Sequence, residues 1–122
     1  MDLEKFWGKP ISVYTSDQAI DDGFLFDLDL FKYWPINENF ATRPLKYVTT
    51  GLMAKGYWNP DQTLNIPNMQ DLVAQSLRVF AKMLKDDYFV SGRIELPSGE
   101  KQKIFIAQNE TGRFTVMLPE DY

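Results

Sequence analysis

The last third of the chain alternates apolar and polar residues in three stretches separated by turn residues. The stretches are 88–96, 101–108 and 113–118, and Pro97-Ser98-Gly99-Glu100 and Asn109-Glu110-Thr111-Gly112 lie between them. A period of two is typical of β-strands, and clusters of Gly, Pro, Asn and Ser favour turns. This pattern predicts a three-stranded antiparallel meander with one apolar face and one solvated face.

A helical period precedes the meander. Between 68 and 85 the apolar side chains recur at spacings of three and four, at Met69, Leu72, Val73, Leu77, Phe80, Met83 and Leu84. Asn68 is a favourable N-cap residue, and Lys82 and Lys85 suit the end of a helix. The pattern predicts one long amphipathic helix over 68–85 that packs on the apolar face of the meander.

The first half predicts shorter elements. Positions 11–14 and 24–29 favour strands, with a two-turn helix over 17–22 between them that ends before Gly23. Positions 45–55 fit a helix that stops at Gly56, and 37–44 and 57–67 are predicted loops. Together these elements predict a single α+β domain over residues 1–122, built on an antiparallel sheet with a short N-terminal strand-helix-strand unit.

Composition then excludes several kinds of chemistry. The chain has no His and no Cys, so it lacks the usual general base, thiol nucleophiles and thiolate metal sites. Its seven Gly residues form no phosphate-binding loop, and no nucleophile motif is present. No apolar run is long enough to span a membrane, and residues 1–5 lack the basic and apolar regions of a signal peptide. We therefore expect a cytoplasmic protein without a cofactor that binds rather than catalyses.

Charge and aromatic residues indicate where a partner would bind. Residues 1–40 hold eight acidic and three basic residues, a net charge of −5, whereas residues 41–122 have a net charge of +1. An acidic surface formed by Asp21, Asp22, Asp27 and Asp29 is one candidate protein-binding element. The aromatic residues outside regular elements are the other, since such residues often anchor interfaces: Phe31, Tyr33, Trp34, Tyr57 and Trp58. The alternative for these aromatic residues is that they cover the core beneath the loops.

Two other functions fit parts of the pattern. Arg93, Lys101, Lys103, Phe105 and Arg113 fall on the solvated face of the meander, where a basic, aromatic surface could bind nucleic acid. The acidic overall charge argues against nucleic acid as the partner. The four aspartates could also hold Mg²⁺ for a hydrolase, although their spacing does not match a calcium loop.

One motif at each end of the domain resembles a known family. Residues 14–27 read Y-T-x-x-x-A-I-x-D-G-x-L-x-D, and Thr49 and Gly51-Leu52 follow before the closing Met117-Leu118-Pro119-Glu120-Asp121. This order is similar to a family of uncharacterised small proteins encoded on plasmids, conjugative elements and phages. The resemblance implies an accessory protein of a mobile genetic element that acts in a bacterial or archaeal cytoplasm. From the charge distribution and the aromatic residues we expect a monomer or homodimer that binds a host or element protein, and a narrower version of this hypothesis is an inhibitor of host defence. The resemblance implies no activity, cofactor or catalytic residue.

Overall fold

The structure, a computed structural model, describes residues 23–35, 44–84 and 86–122. It contains one five-stranded sheet with the strand order β1-β2-β5-β4-β3. The strands are β1 (Leu25–Asp27), β2 (Leu45–Thr49), β3 (Phe89–Glu95), β4 (Lys101–Gln108) and β5 (Phe114–Met117). The helices are α1 (Thr50–Met53) and α2 (Ile66–Phe80), and single 3-10 turns cover Leu28–Leu30 and Pro119–Asp121. The predicted α+β class is confirmed.

The sheet is mixed rather than wholly antiparallel. Strands β3, β4 and β5 form the predicted antiparallel meander, and β1 pairs antiparallel with β2. Strand β2, however, runs parallel to β5 in the middle of the sheet. The chain reaches this arrangement because the segment containing α2 carries it from β2 to the far edge, where β3 begins.

The core lies between α2 and one face of the sheet. Helix α2 buries Met69, Leu72, Val73, Ser76 and Val79. The facing strand residues include Val48, Ile94, Ile104, Ile106 and Val116, all at most 1% exposed. We call this the helix face of the sheet and the other the second face. The predicted apolar side of the meander is therefore the helix face.

Two predicted helices differ from the structure. Helix α2 begins at Ile66, because the side chain of Asn65, not Asn68, caps it by accepting the Asn68 N–H at 3.1 Å. It ends at Phe80, so Leu84 is 75% exposed, and Lys85 lies outside the described residues. The helix predicted over 45–55 is wrong for 45–49, which form β2. That strand is buried on both faces, so it lacks the alternation that indicates a half-buried strand.

The N-terminal prediction is only partly within the described residues. The strand at 11–14, the helix at 17–22 and the loop up to 43 lie outside them. The strand predicted over 24–29 ends at Asp27, where the carboxylate accepts the Asp29 N–H at 2.9 Å and starts a 3-10 turn. Leu28 is fully buried by that turn.

Candidate functional site

The two described aspartates of the predicted acidic surface are held in ion pairs. Lys46 Nζ lies 3.0 Å from a carboxylate oxygen of both Asp27 and Asp29. Arg113 donates to both oxygens of Asp29, at 2.9 and 2.8 Å, and also to the Leu45 carbonyl at 2.8 Å. Two carboxylates therefore face two cations, and this ion cluster does not present free negative charge. Asp21 and Asp22 lie outside the described residues.

The ion cluster lies where β2 bulges, at Lys46. The register of β2 against β5 shifts between Leu45 and Tyr47, and such bulges re-aim side chains. The Arg113 hydrogen bonds lower the pKa of Asp29 despite its partial burial. Burial acts to lower the pKa of Lys46, but its hydrogen bonds to Asp29 and Asp27 outweigh burial and raise it. The Lys46 ammonium occupies the position between the carboxylates that a bound Mg²⁺ would need.

The predicted loop aromatic residues divide into two groups. Phe31, Trp34 and Tyr57 are at most 7% exposed, and the Trp34 indole donates to the Leu28 carbonyl at 3.1 Å. These three belong to the core, so a partner cannot reach them on the folded protein. Tyr33 and Trp58 are 53% and 40% exposed, and the Trp58 ring meets Phe26 edge-on. Only these two remain available as contact residues.

The predicted basic face is present without Arg113, which the ion cluster holds. Arg93 and Lys103 are directly opposite each other on β3 and β4, and both side chains are exposed on the second face. Lys103 Nζ lies 5.6 Å from the centre of the Phe105 ring. Like charges directly opposite on neighbouring strands repel. Within the described part of the chain, neither cation forms a salt bridge.

Three aromatic rings lie at one end of this basic surface. The Phe89 and Phe105 ring centres are 4.8 Å apart, and Tyr122 lies 5.2 and 5.6 Å from them. We call these residues the aromatic triad. Tyr122 is 74% exposed and Phe89 is 38% exposed, although burial of an aromatic side chain lowers its free energy. The triad therefore presents apolar surface beside strand β3.

Strand β3 forms an edge of the sheet, and half of its backbone groups point outward. The bonds between Tyr88 and Gln108 and between Leu96 and Glu100 bracket the β3–β4 ladder. Because paired positions alternate in an antiparallel ladder, the N–H and C=O groups of Phe89, Ser91 and Arg93 point away from β4. None of these groups has a hydrogen bond within the part of the chain that the structure describes. We call this segment the open edge.

Helix α2 closes the other end of the same edge. The Gln75 side chain accepts the Glu95 N–H at 2.8 Å and donates to the Glu95 carbonyl at 2.9 Å. Glu95 is the next outward-facing position after Arg93, so its pairing confirms the assigned direction of the backbone groups. The open edge therefore runs from the aromatic triad to the Gln75–Glu95 pair.

The sequence motifs at both ends of the domain meet away from the open edge. The Thr49 hydroxyl donates to an Asp121 carboxylate oxygen at 2.7 Å. A Cβ at Gly51 would lie 3.1 Å from that same carboxylate, so the close approach favours glycine there. These motif residues join the C-terminal turn to the start of α1. Their described contacts are structural.

The open edge was not predicted from the sequence. Ser91 and Gln75 carry no motif, and the position of β3 at the edge follows only from the strand order. The available signal was a pair of aromatic residues, Phe89 and Phe105, at positions that alternate onto the second face. Of these two residues, only Phe105 is predicted from the sequence to lie on the solvated face.

The described residues contain no helix with the length and apolar character needed to cross a membrane. They also contain no group of three or more acidic, His or Cys side chains placed to hold a metal ion.

The chain was compared with known proteins in three ways. A scan against protein-family models and searches of curated proteins and of solved structures found no match to this chain.

Proposed function

We propose that this chain is a non-catalytic binding protein that holds a partner protein by adding an extended strand of that partner to the open edge of β3. The observation that carries the proposal is the run of unpaired backbone groups at Phe89, Ser91 and Arg93 on exposed residues. An exposed strand edge is a ready template for pairing with another chain, and natural proteins usually block it. Here the Gln75 pair blocks one position and leaves three open.

Strand addition separates affinity from specificity in a way that suits this surface. Hydrogen bonds to the main chain provide affinity for any extended segment, and side-chain pockets beside the edge select among segments. The aromatic triad supplies exposed rings next to the first open position, and aromatic residues are enriched among interface anchors. Tyr33 and Trp58, the exposed members of the predicted aromatic set, are not needed for this mode.

The biological setting in this proposal depends on the sequence motifs. The opening and closing motifs resemble those of small plasmid, conjugative-element and phage proteins. We therefore propose an accessory protein of a mobile element, working in a bacterial or archaeal cytoplasm, whose partner is a host protein or an element protein. Inhibition of a host defence component is one form that such binding takes.

The test is a pull-down from host lysate with the full chain and with Ser91→Pro. Proline removes the outward N–H of Ser91 but no bond to β4, so the ladder is retained. Ser91→Ala is the matched control, because it keeps the N–H. We expect Ser91→Pro to lose the retained proteins that Ser91→Ala keeps, with both variants folded by circular dichroism. If both variants retained the same proteins in equal amounts, the partner would not bind at the open edge and the proposal would be wrong.

Single-stranded nucleic acid is a second candidate because of one observation. The Lys103 ammonium lies over Phe105 beside the exposed Arg93, which combines cations with a ring on which a base could stack. This candidate predicts that a labelled oligothymidine binds at low salt and that its affinity falls steeply as salt increases. Lys103→Glu should abolish that binding, with Lys55→Glu, an exposed position in the turn after α1, as the control. No binding at low salt would reject this candidate.

A further inference from the structure

We infer that the segment added to the open edge carries an acidic residue opposite Arg93 and an aromatic or β-branched residue opposite Phe89. The inference rests on the proposed strand addition and names the chemistry of the partner. It follows from the side chains beside the three open positions. These side chains are positively charged at the Arg93 end of the open edge and aromatic at the Phe89 end.

The Arg93 end carries excess positive charge. On the second face, Arg93 lies opposite Lys103, and Glu95 lies opposite Lys101 on the next pair of positions. The Glu95 carboxylate and the Lys101 ammonium are 3.8 Å apart. Three cations and one carboxylate give this end a charge of +2, and Arg93 and Lys103 remain uncompensated within the described residues.

An added strand places its side chain directly beside Arg93. Cross-strand neighbours lie about 5 Å apart between their Cβ atoms, within reach of an ion pair, and opposite charges at such positions attract. A Glu or Asp there would face Arg93 directly and would relieve the repulsion between Arg93 and Lys103. A Lys or Arg would add a third cation to the row.

The Phe89 end favours an apolar side chain. An added residue opposite Phe89 lies on the same face as the aromatic triad, four positions along the partner segment from the residue opposite Arg93. Aromatic and β-branched side chains pair favourably with an aromatic residue across strands. The two preferences are therefore four residues apart on one face of the partner strand.

The partner residues opposite Val90 and Gly92 face the side of the sheet on which α2 lies. Here the helix approaches the strand closely, since a Cβ built on Gly92 would lie 2.7 Å from a Val79 methyl. Gln75 also reaches the edge itself from the helix. Small side chains such as Thr or Ser suit these intervening positions. The partner segment is thus a strand with one acidic residue, an aromatic or β-branched residue four positions away on the same face, and small side chains at the two positions that face α2.

The test uses synthetic peptides and the full chain. The probe is the peptide Thr-Glu-Thr-Val-Thr-Tyr-Thr, capped at both ends, and its controls are a Glu-to-Lys version and a version N-methylated at the central valine. We expect the probe to bind with backbone amide shifts at Phe89, Ser91 and Arg93 in NMR spectra. The lysine version should bind about fivefold more weakly, the range of a surface ion pair, and the N-methylated version should not bind.

Reversing the charge at position 93 tests whether the preference for an acidic peptide residue depends on Arg93. In Arg93→Glu, an exposed position, the lysine peptide should bind more tightly than the glutamate peptide, reversing the order seen with the native chain. An order of affinities that ignores this charge reversal would overturn the inference. The same conclusion follows if the native chain binds both peptides equally.

Other occupants of the edge give distinct results. Concentration-dependent dimerisation that Ser91→Pro abolishes would assign the edge to a second copy and overturn the inference. Displacement of the probe by oligothymidine at low salt would favour nucleic acid and would also overturn it. If no peptide binds while Ser91→Pro still loses its partners from lysate, the chemistry inferred here fails but strand addition stands.

Discussion

A single glycine sets the distance between the long helix and the edge strand. A Cβ at Gly92 would lie 2.7 and 2.8 Å from the two methyl carbons of Val79, much closer than van der Waals contact. Val79 is 4% exposed and cannot move away freely in a packed core. Gly92 therefore lets α2 approach β3, and the same approach allows Gln75 to reach Glu95.

We expect Gly92→Ala to lower the free energy of unfolding by about 1–3 kcal/mol, because the added methyl overpacks the helix contact. Urea denaturation monitored by circular dichroism measures this. Ser91→Ala, one position away and exposed, is the control and should change stability by less than about 0.5 kcal/mol.

The double variant Gly92→Ala with Val79→Ala distinguishes the mechanism. Removing the Val79 methyls makes room for the new one, so the loss in the double variant should be smaller than the sum of the two single losses. Strict additivity of the three free energies would contradict the proposed clash.

At the scale of elements, the ion cluster ties β1 and its 3-10 turn to the centre of the sheet. Asp27 and Asp29 come from the first segment, Lys46 from β2, and Arg113 from the start of β5. Hydrogen bonds to charged groups are stronger than neutral ones, and the bidentate Arg113–Asp29 pair also fixes orientation. The cluster therefore positions a short edge strand that forms few ladder bonds of its own.

We expect Asp29→Asn to lower the free energy of unfolding by about 1–2 kcal/mol at pH 7, because it breaks the bidentate pair. The pKa of Asp29 is lower in the folded protein than in the unfolded chain, where it is about 3.9. Its contribution is therefore complete well above the unfolded pKa and is lost as the pH falls through the folded pKa. Urea titrations from pH 7 to pH 2.5 should show the difference between native chain and variant narrowing below pH 4.

Glu100→Gln, in the exposed turn between β3 and β4, is the control for this titration. The free energy of unfolding of this variant should be close to that of the native chain, since Glu100 makes no ion pair among the described residues. A difference for Asp29→Asn that is the same at pH 7 and pH 2.5 would show that the cluster does not stabilise through charge.

The elements that the sequence predicts well are those whose pattern is local. Strand β4 has the predicted bounds, because Ile104 and Ile106 are buried against the helix while Lys101 and Lys103 alternate onto the solvated face. Strand β2 was predicted as a helix because burial on both faces removes its period of two. The parallel pairing of β2 with β5 depends on contacts between distant segments, which no local pattern encodes.

The candidate site shows the same limit. The basic residues Arg93 and Lys103 were predicted on one face by alternation, and the structure places them opposite each other. Arg113 alternates onto the same face, but its guanidinium is hydrogen-bonded to Asp29, which lies 84 positions earlier in the chain. The buried positions of Phe31, Trp34 and Tyr57 likewise depend on tertiary packing. Exposure of a strand edge is a property of the whole sheet.

At the scale of the molecule, the central and edge strands differ in how their amides are protected. The residues of β5 pair with strands on both sides, as at Val116 with Val48 and Ile106. Strand β3 pairs only with β4 within the described part of the fold. Local opening and solvent access determine amide exchange, so these strands should exchange at very different rates.

We expect the Val116 amide to exchange slowly with deuterium and the Ser91 and Arg93 amides to exchange at rates close to those of loops. The Glu95 amide should be protected because Gln75 accepts its hydrogen. In Gln75→Ala its exchange should rise by roughly tenfold or more, while Val116 stays unchanged. NMR-detected exchange measures all four amides at once, and protection of Ser91 equal to that of Val116 would contradict the open edge.

The parallel pair at the centre of the sheet also governs how the chain assembles during synthesis. Leu45 pairs with Phe114, so the strand that completes the middle of the sheet is made long after its neighbour. Until then one side of β2 is unpaired, and the incomplete chain exposes a strand edge that promotes aggregation. Contacts between such distant segments also slow folding. The need for chaperones in the cell and the yield on overproduction should therefore depend on how quickly β5 is synthesised and pairs with β2.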